Sequence, residues 1–227
     1  MTGCGQAGQV EVPGAAAYAG IEELPEKLSE NGTTIIVGDP KAPMTVHLYE
    51  DPRCPVVEEF EAYGGASVLR ELTELGRVKT EYTFASFRDD RMGGGGSKRA
   101  VNALRAALEA GKFAEYHDVL FQHQPEAEVD GYTTEYLLEL AGKVDGLRSP
   151  AFDTAVKTMK YRAFVTQSEE TYENADGPDP LGPGTPTAVI NGRQVPETLY
   201  WVLFDRQEFT RLLVEIEHDP GQWQIGL

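Results

Sequence analysis

The feature that most constrains this chain is a Cys-Pro pair, Cys54-Pro55, placed where a strand-like run ends and a helix-like run begins. Residues 44–49 have the alternating apolar pattern of a strand, and the stretch after Pro55 has helical spacing of its apolar residues up to Gly76. Proline is tolerated in the first turn of a helix because the N–H that it lacks would be unpaired there anyway. The sequence therefore predicts that Cys54 lies at the N-terminus of a helix, directly after a strand.

Strand-like runs lie on both sides of a long helical region. Runs rich in β-branched and aromatic residues are found at 33–37, 44–49, 78–85, 187–190 and 193–195. Asn191-Gly192 joins the last two runs and is a strong signal for a two-residue hairpin turn. The pattern is that of an α/β fold.

The region between these strands has helical spacing of its apolar residues. Helix starts are predicted at Ser97, Phe113, Thr133 or Thr134, and Ser149-Pro150. The last of these helices is predicted to run unbroken to about Tyr172. After the final strand, Asp205 with Glu208 three positions later predicts the cap of a terminal helix.

These patterns divide the chain into four segments, 1–32, 33–96, 97–176 and 177–227. The first segment is rich in Gly, Ala and Glu, has one possible short helix at 21–28, and is interpreted as a leader or tether. The second and fourth segments carry the strands, and the third is a helical domain inserted between them. Four consecutive glycines at 93–96 are interpreted as the hinge between the two parts, since no phosphate-loop motif follows in register.

A Cys-Pro at a strand-to-helix turn, combined with Gly184-Thr185-Pro186-Thr187 before a strand, resembles the DsbA-like disulfide oxidoreductase family. Residues 39–60 are similar to its strand, active-site turn and first helix, and residues 97–172 are similar to its inserted helices. The Gly-Thr-Pro-Thr run is similar to its cis-proline loop. The resemblance covers about residues 33–218 and implies a thioredoxin fold with an inserted α-helical domain.

The resemblance also implies an active site. In such proteins the nucleophile is a thiolate, which a helix N-terminus favours, and Cys54 occupies that position. Pro55, Thr185 and Pro186 are expected to bind the substrate, because a cis peptide before Pro186 would bring the Thr185 backbone beside the sulfur, where an extended chain can pair with it. The resemblance implies, as partners, protein or peptide thiols and disulfides or small-molecule thiols, and it implies an extracytoplasmic location.

One position departs from the family pattern. The Cys-x-x-Cys motif is replaced by Cys54-Pro55-Val56-Val57, so Val57 stands where the resolving thiol would be. A mixed disulfide on Cys54 therefore has no neighbouring sulfur to release it. Acidic residues that oppose ionisation of a nearby thiol are found at Glu50, Asp51, Glu58 and Glu59. We expect a monothiol redox protein whose cycle is completed by an external thiol.

The second cysteine, Cys4, has a different setting. Met1-Thr2-Gly3-Cys4 resembles the end of a bacterial lipoprotein signal, although the apolar region that should precede it is missing. A lipidated Cys4 would anchor the chain to a membrane. The alternatives are an incidental thiol in a disordered start, or the missing redox partner of Cys54.

Composition and charge argue against several classes of function. Lys and Arg total 20 against 37 for Asp and Glu, and the net charge of −17 would repel nucleic acids and anionic lipid headgroups. No run approaches the ~18 apolar residues of a membrane span. The four histidines are scattered, with His117 and His123 six positions apart, which does not place them on one helical face. Surface or supporting roles are expected for them, with no metal and no cofactor.

Two other functions stay open. A non-catalytic module could use the surface around Thr185 and Pro186 to hold an extended peptide, and Cys54→Ser would then leave its role intact. A glutathione-transferase-like enzyme shares the fold class, but its helical domain follows the thioredoxin unit, whereas these helices interrupt it.

Overall fold

The computed structural model describes residues 15–176, 181–221 and 223, and their strands form one six-stranded sheet in the order β1-β2-β4-β3-β5-β6. The strands are β1 (Glu26–Leu28), β2 (Thr34–Val37), β3 (Met44–Glu50), β4 (Val78–Phe84), β5 (Thr187–Ile190) and β6 (Arg193–Gln194). β3 and β4 run parallel, and every other neighbouring pair is antiparallel.

The centre of the sheet is β3, in which Leu48 pairs with Tyr82 of β4 on one side and with Ala188 of β5 on the other. Parallel strands need a crossover connection, and the helices after Cys54 supply it. Alternate residues of β3 are buried, in the order Met44, Val46, Leu48 and Glu50. Because of this alternation, the acidic side chain of Glu50 points into the interior at the end of the strand.

The helices are α1 (Pro55–Glu58), α2 (Ala66–Glu74), α3 (Phe87–Met92), α4 (Gly96–Glu109), α5 (Phe113–Gln122), α6 (Thr134–Ala141), α7 (Pro150–Lys157), α8 (Arg162–Glu173) and α9 (Arg206–His218). A π-helical turn, Glu59–Tyr63, follows α1, and 3₁₀ turns span Ile21–Glu23 and Glu197–Phe204. α3 to α8 lie between β4 and β5 in the chain, so a helical region separates these strands as the sequence predicts. The exact domain boundaries stay a prediction. Within the described ranges, no helix has the length and apolar character needed to cross a bilayer.

Two hydrophobic clusters hold these elements together. The first joins β2 and the end of β4 to the helices α4 to α8, and it includes Cys54 and Val57. The second joins β3 and β5 to α2 and α9, with Leu48, Phe60 and Phe209 among its buried members. The active-site segment, residues 51–60, thus lies between the helical region and the sheet, because its residues contribute to both clusters.

The short helix predicted at 21–28 is confirmed only at Ile21–Glu23, which form a 3₁₀ turn, and is wrong at residues 26–28, which form a strand. Lys27 pairs with Ile36 of β2. The Glu26 carboxylate accepts hydrogen bonds from the N–H groups of Phe113 (2.9 Å) and Ala114 (3.0 Å) in the first turn of α5. A helix N-terminus needs such acceptors, and here a residue far away in sequence provides them. This part of the segment assigned to a leader belongs to the sheet.

The cap assigned to Ser97 is also wrong. Ser97 lies inside α4, whose N-cap is Gly95, and its hydroxyl donates to Asp51 instead. Other predicted caps are confirmed, since the side chains of Thr133 and Asp205 accept hydrogen bonds from the first turns of α6 and α9. A cap assignment fails where a distant partner competes for the same hydroxyl.

Two predicted helices are interrupted. The helix expected from Ser149-Pro150 to Tyr172 breaks between α7 and α8, where Met159 takes a left-handed backbone with φ of 51°. The helix expected from Pro55 to Gly76 breaks before α2, where the N–H of Gly65 donates to the carbonyl of Leu203. A side chain at Gly65 would collide with Phe209, so the close approach of α9 explains the glycine.

Candidate active site

Cys54 is the N-cap residue of α1, and Pro55 occupies the first turn of that helix. The Cys54 backbone is extended (φ −79°, ψ 120°), and its N–H donates to the carbonyl oxygen of Asp51 at 2.9 Å. The residue is 5% exposed and its thiol is free. The strand-to-helix position predicted from the sequence is confirmed, and the cysteine in it is almost fully covered.

The loop before β5 lies against this sulfur. The peptide bond between Thr185 and Pro186 is cis, and the Cys54 thiol donates to the carbonyl oxygen of Thr185 across 3.3 Å. The hydroxyl of Thr185 is buried and has no hydrogen-bond partner within the described part of the chain. Pro55, next to the cysteine, is exposed. The fold thus brings together residues that are 131 positions apart.

Val57 occupies the place of a resolving cysteine and is 0% exposed. Its N–H donates to the carbonyl oxygen of Cys54 at 3.1 Å, and both side chains belong to the first hydrophobic cluster. The described residues contain no cysteine other than Cys54. Cys4, considered above as a lipidation site or as a second thiol, lies outside the described residues.

Two polar residues at the site were missed by the sequence analysis. Gln124, just after α5, donates from Nε2 to the carbonyl oxygen of Cys54 at 3.1 Å. The Tyr200 hydroxyl donates to the carbonyl oxygen of Pro186 at 3.3 Å. Burial, followed by the negative charges of Cys54 and Glu59, raises the pKa of Tyr200 to about 12, so it stays a neutral donor. No local pattern marks these residues, because each reaches the site from a distant turn.

Charged residues next to Cys54 tie its turn to α4. Asp51 accepts hydrogen bonds from the N–H of Arg53 (2.9 Å) and from the hydroxyl of Ser97 (2.5 Å). Burial raises the pKa of Asp51 to about 6, although these hydrogen bonds favour its charged form. Arg53 is itself buried and donates to Asp89 at 2.8 Å. These side chains therefore serve mainly to fix the turn that carries the cysteine.

Glu50 faces two other buried titratable residues. Its Oε2 lies 2.9 Å from Nε2 of His117, and Nδ1 of His117 lies 3.8 Å from Oε2 of Glu61. Burial raises the pKa of Glu50 to about 7. Burial together with the charge of Glu50 raises the pKa of Glu61 well above its ordinary value, and burial lowers the pKa of His117. A surface position for His117 is wrong, since the residue is 3% exposed.

Comparison with known proteins gives matches over most of the chain. A sequence model of the family described as Thioredoxin matches residues 30–206. Disulfide bond formation protein D of Bacillus subtilis is 24% identical over 137 residues, which is 60% of this chain. The matched part spans 58% of that relative's length.

Solved structures match over a larger share. BdbD from Bacillus subtilis, in its oxidised form, has a TM-score of 0.67 and 20% identity, covering 85% of this chain and 96% of that one. DsbA from Chlamydia trachomatis has a TM-score of 0.64 and 18% identity, covering 86% and 96%. MdbA from Corynebacterium matruchotii, a thiol-disulfide oxidoreductase, has a TM-score of 0.61 and 19% identity, covering 79% and 89%. These likenesses confirm the thioredoxin fold predicted from the sequence.

Proposed function

We propose that this chain carries out thiol–disulfide exchange through Cys54 alone. It belongs to the thioredoxin family, as a DsbA-like member without the resolving cysteine. The observation that carries the proposal is the 3.3 Å contact between the Cys54 sulfur and the carbonyl oxygen of Thr185. It puts the only thiol of the described residues against backbone that lies just before a sheet strand.

The exchange needs no oxidant or reductant beyond its two substrates. The Cys54 thiolate attacks one sulfur of a client disulfide, the client S–S bond breaks, and the other client sulfur leaves as a thiolate. An external thiol, after losing its proton, attacks the resulting mixed disulfide and returns Cys54 as a thiolate. Alternatively, a second cysteine of the same client attacks, and the client's disulfide is rearranged with no net oxidation. In each step one S–S bond forms and one breaks.

A client disulfide in an extended segment fits the surroundings of Cys54. The backbone of Thr185 and Pro186 precedes β5, and an incoming chain can pair with such backbone as an added strand. The hydroxyl of Thr185 has no hydrogen-bond partner in the described ranges. The Tyr200 hydroxyl donates a hydrogen bond to the carbonyl oxygen of Pro186. Pro55 is exposed and adds apolar contact surface beside the cysteine. We assign Pro55, Thr185 and Pro186 to client binding.

An extracytoplasmic location suits this chemistry, because protein disulfides persist in oxidising compartments. The proposed clients are therefore exported proteins or peptides with disulfides, and the proposed external partner is a small thiol. Anchoring through a lipid on Cys4 belongs to the same hypothesis.

The first prediction tests the role of Cys54. A peptide carrying an activated disulfide is expected to become covalently attached to the protein, at a rate well above its reaction with free cysteine, and to be released by a small thiol. Cys54→Ser is expected to abolish the attachment, while Cys4→Ser keeps it. Mass spectrometry of the adduct, with stopped-flow rates, measures both.

Two results would count against the proposal. Attachment no faster than to free cysteine would mean that the site does not activate the thiol. An unchanged biological role in the Cys54→Ser protein would favour a binding module that needs no sulfur.

A further inference from the structure

We propose that Glu50, His117 and Glu61, two of which flank the active-site segment in the chain, form a binding site for one divalent transition-metal ion of the Zn²⁺ class. One ligand atom from each residue, a carboxylate oxygen or a ring nitrogen, lies within 4.8 Å of the others. All three side chains are at least nine-tenths buried. The proposal is independent of the thiol chemistry of Cys54.

The distances fit a small coordination sphere. Ligand atoms bound tetrahedrally at about 2.0–2.2 Å from Zn²⁺ are separated by about 3.3–3.6 Å. Nε2 of His117 lies 2.9 Å from Oε2 of Glu50, whereas its other ring nitrogen, Nδ1, lies 3.8 Å from Oε2 of Glu61. Because an imidazole binds an ion through a single nitrogen, the relevant observation is that one ligand atom from each residue lies within 4.8 Å of the other two. Rotation of at least one of the three side chains would then bring one atom of each onto a single ion.

Unpaired buried atoms point independently to a ligand. Oε1 of Glu50 and Oε1 of Glu61 are fully buried and have no hydrogen-bond partner among the described residues. The Oε2 atom of each carboxyl group faces His117, and the two carboxyl groups lie close enough to share a proton, which a metal ion would replace. Buried polar atoms without a partner, such as the two Oε1 atoms, are costly, and buried acidic groups are normally paired or bound to a metal. Two carboxylates and a neutral imidazole supply a charge of −2, which a divalent cation cancels. Oxygen and nitrogen ligands in this combination suit Zn²⁺ and similar ions.

The nearby cationic side chain, Arg70, provides only part of this charge, because it is shared with Asp118. Nη1 of Arg70 is 3.7 Å from Oε2 of Glu61, but it is closer to Asp118, at 2.8 Å. Tyr82, whose ring centroid is 4.7 Å from that of His117, is neutral. The cluster therefore has an excess of potential negative charge in a buried place.

A small cavity lies beside two of the three proposed ligands, Glu61 and His117. It is lined by Glu61, His117, Arg70 and Asp118 among others, and its free volume of about 20 Å³ is room for one water molecule. Arg70 and Asp118, which also line it, are each about one-quarter exposed. Three protein ligands with one water is a common arrangement for Zn²⁺.

Two of the proposed ligands flank Cys54 in the sequence. Glu50 ends β3, Glu61 lies on the π-helical turn after α1, and the turn lets Phe60 and Glu61 both face inward. Cys54 lies between them, and His117 comes from α5 of the helical region. A bound ion would therefore clamp both ends of the active-site segment to the inserted helices.

The test uses the full chain with Cys4→Ser and Cys54→Ser, so that no thiol can bind metal. After removal of metal with a chelator, Co²⁺ is titrated by its visible absorption and displaced by Zn²⁺, and the Zn²⁺ content is measured by mass spectrometry. One Zn²⁺ per chain is expected. Glu61→Gln and His117→Gln should each weaken binding by about 100-fold or more, since even loss of a group that only supports a metal ligand costs about 10–100-fold.

Matched controls are Glu109→Gln and His218→Gln, which change the same residue types at exposed positions and should leave binding unchanged. Zn²⁺ is also expected to raise the denaturation midpoint of the parent protein but not of Glu61→Gln, whose amide matches a protonated carboxyl in shape. Absence of both the Co²⁺ spectrum and the midpoint shift would overturn the proposal. Equal binding by the parent and by Glu61→Gln would overturn it as well.

Discussion

Replacing Val57 with cysteine is expected to double the release of coloured thionitrobenzoate when the protein reacts with an aromatic disulfide probe. With Cys4→Ser in both proteins, the parent should release one anion per chain and stop as a mixed disulfide on Cys54. In the Val57→Cys protein the new thiol attacks that mixed disulfide, expels a second anion and leaves an internal disulfide. Absorbance gives the stoichiometry, and mass spectrometry identifies the product.

The position of Val57 explains the expected gain. Val57 is the third residue of α1 and Cys54 is its N-cap, the two positions whose groups meet in a capping box. An internal thiol with an effective concentration of about 1 mM or more should therefore release the probe at least ~10-fold faster than an external thiol at about 0.1 mM.

Val57→Ala is the matched control, because it opens the same space without adding sulfur. It should release one anion, and its loss of buried methyl groups should cost about 1–2 kcal/mol of stability. Release of a single anion by the Val57→Cys protein, with its mixed disulfide intact, would show that position 57 does not face the reacting sulfur. A second anion from the alanine variant would point to another nucleophile.

The local part of this site could be predicted from the sequence. Cys54 follows a strand and precedes proline, so its place at a helix N-terminus depends only on neighbouring residues. The helix caps at Thr133 and Asp205 likewise depend only on neighbouring residues. Ser97 has the same chemistry as these caps, yet its hydroxyl is taken by Asp51, 46 positions earlier. Local rules fail where a tertiary partner competes.

The buried cluster shows which sequence signals were available and which were not. Alternation along β3 predicts that Glu50 points inward after Leu48. The buried positions of α5 include Phe113, Tyr116, His117 and Leu120, a spacing that would have predicted a buried histidine. Glu61 had no such signal, because its inward direction depends on a π-helical turn. The meeting of the three residues depends on how α5 packs, which only the fold determines.

Asp89→Ala is expected to lower the free energy of unfolding by about 3 kcal/mol or more, because it removes the carboxylate paired with a buried arginine. Asp89 accepts from Nη1 of Arg53 at 2.8 Å and from the N–H groups of Ser97 (3.0 Å) and Lys98 (2.9 Å). The change therefore leaves Arg53 without its nearest countercharge and the first turn of α4 without acceptors. Denaturant unfolding, compared at an unchanged slope, measures the loss.

Asp90→Ala is the matched control, since the neighbouring carboxylate is exposed and pairs with Lys98 Nζ at 2.7 Å. Its loss should cost at most ~1 kcal/mol. Because Arg53 directly precedes Cys54, Asp89→Ala should also speed the reaction of the covered thiol with the disulfide probe under conditions where the protein stays folded, whereas Asp90→Ala should not. Equal unfolding free energies for the two variants would contradict the buried pairing. A destabilised Asp89→Ala protein with an unchanged thiol rate would mean that the Asp89 network supports α4 without holding the active-site turn.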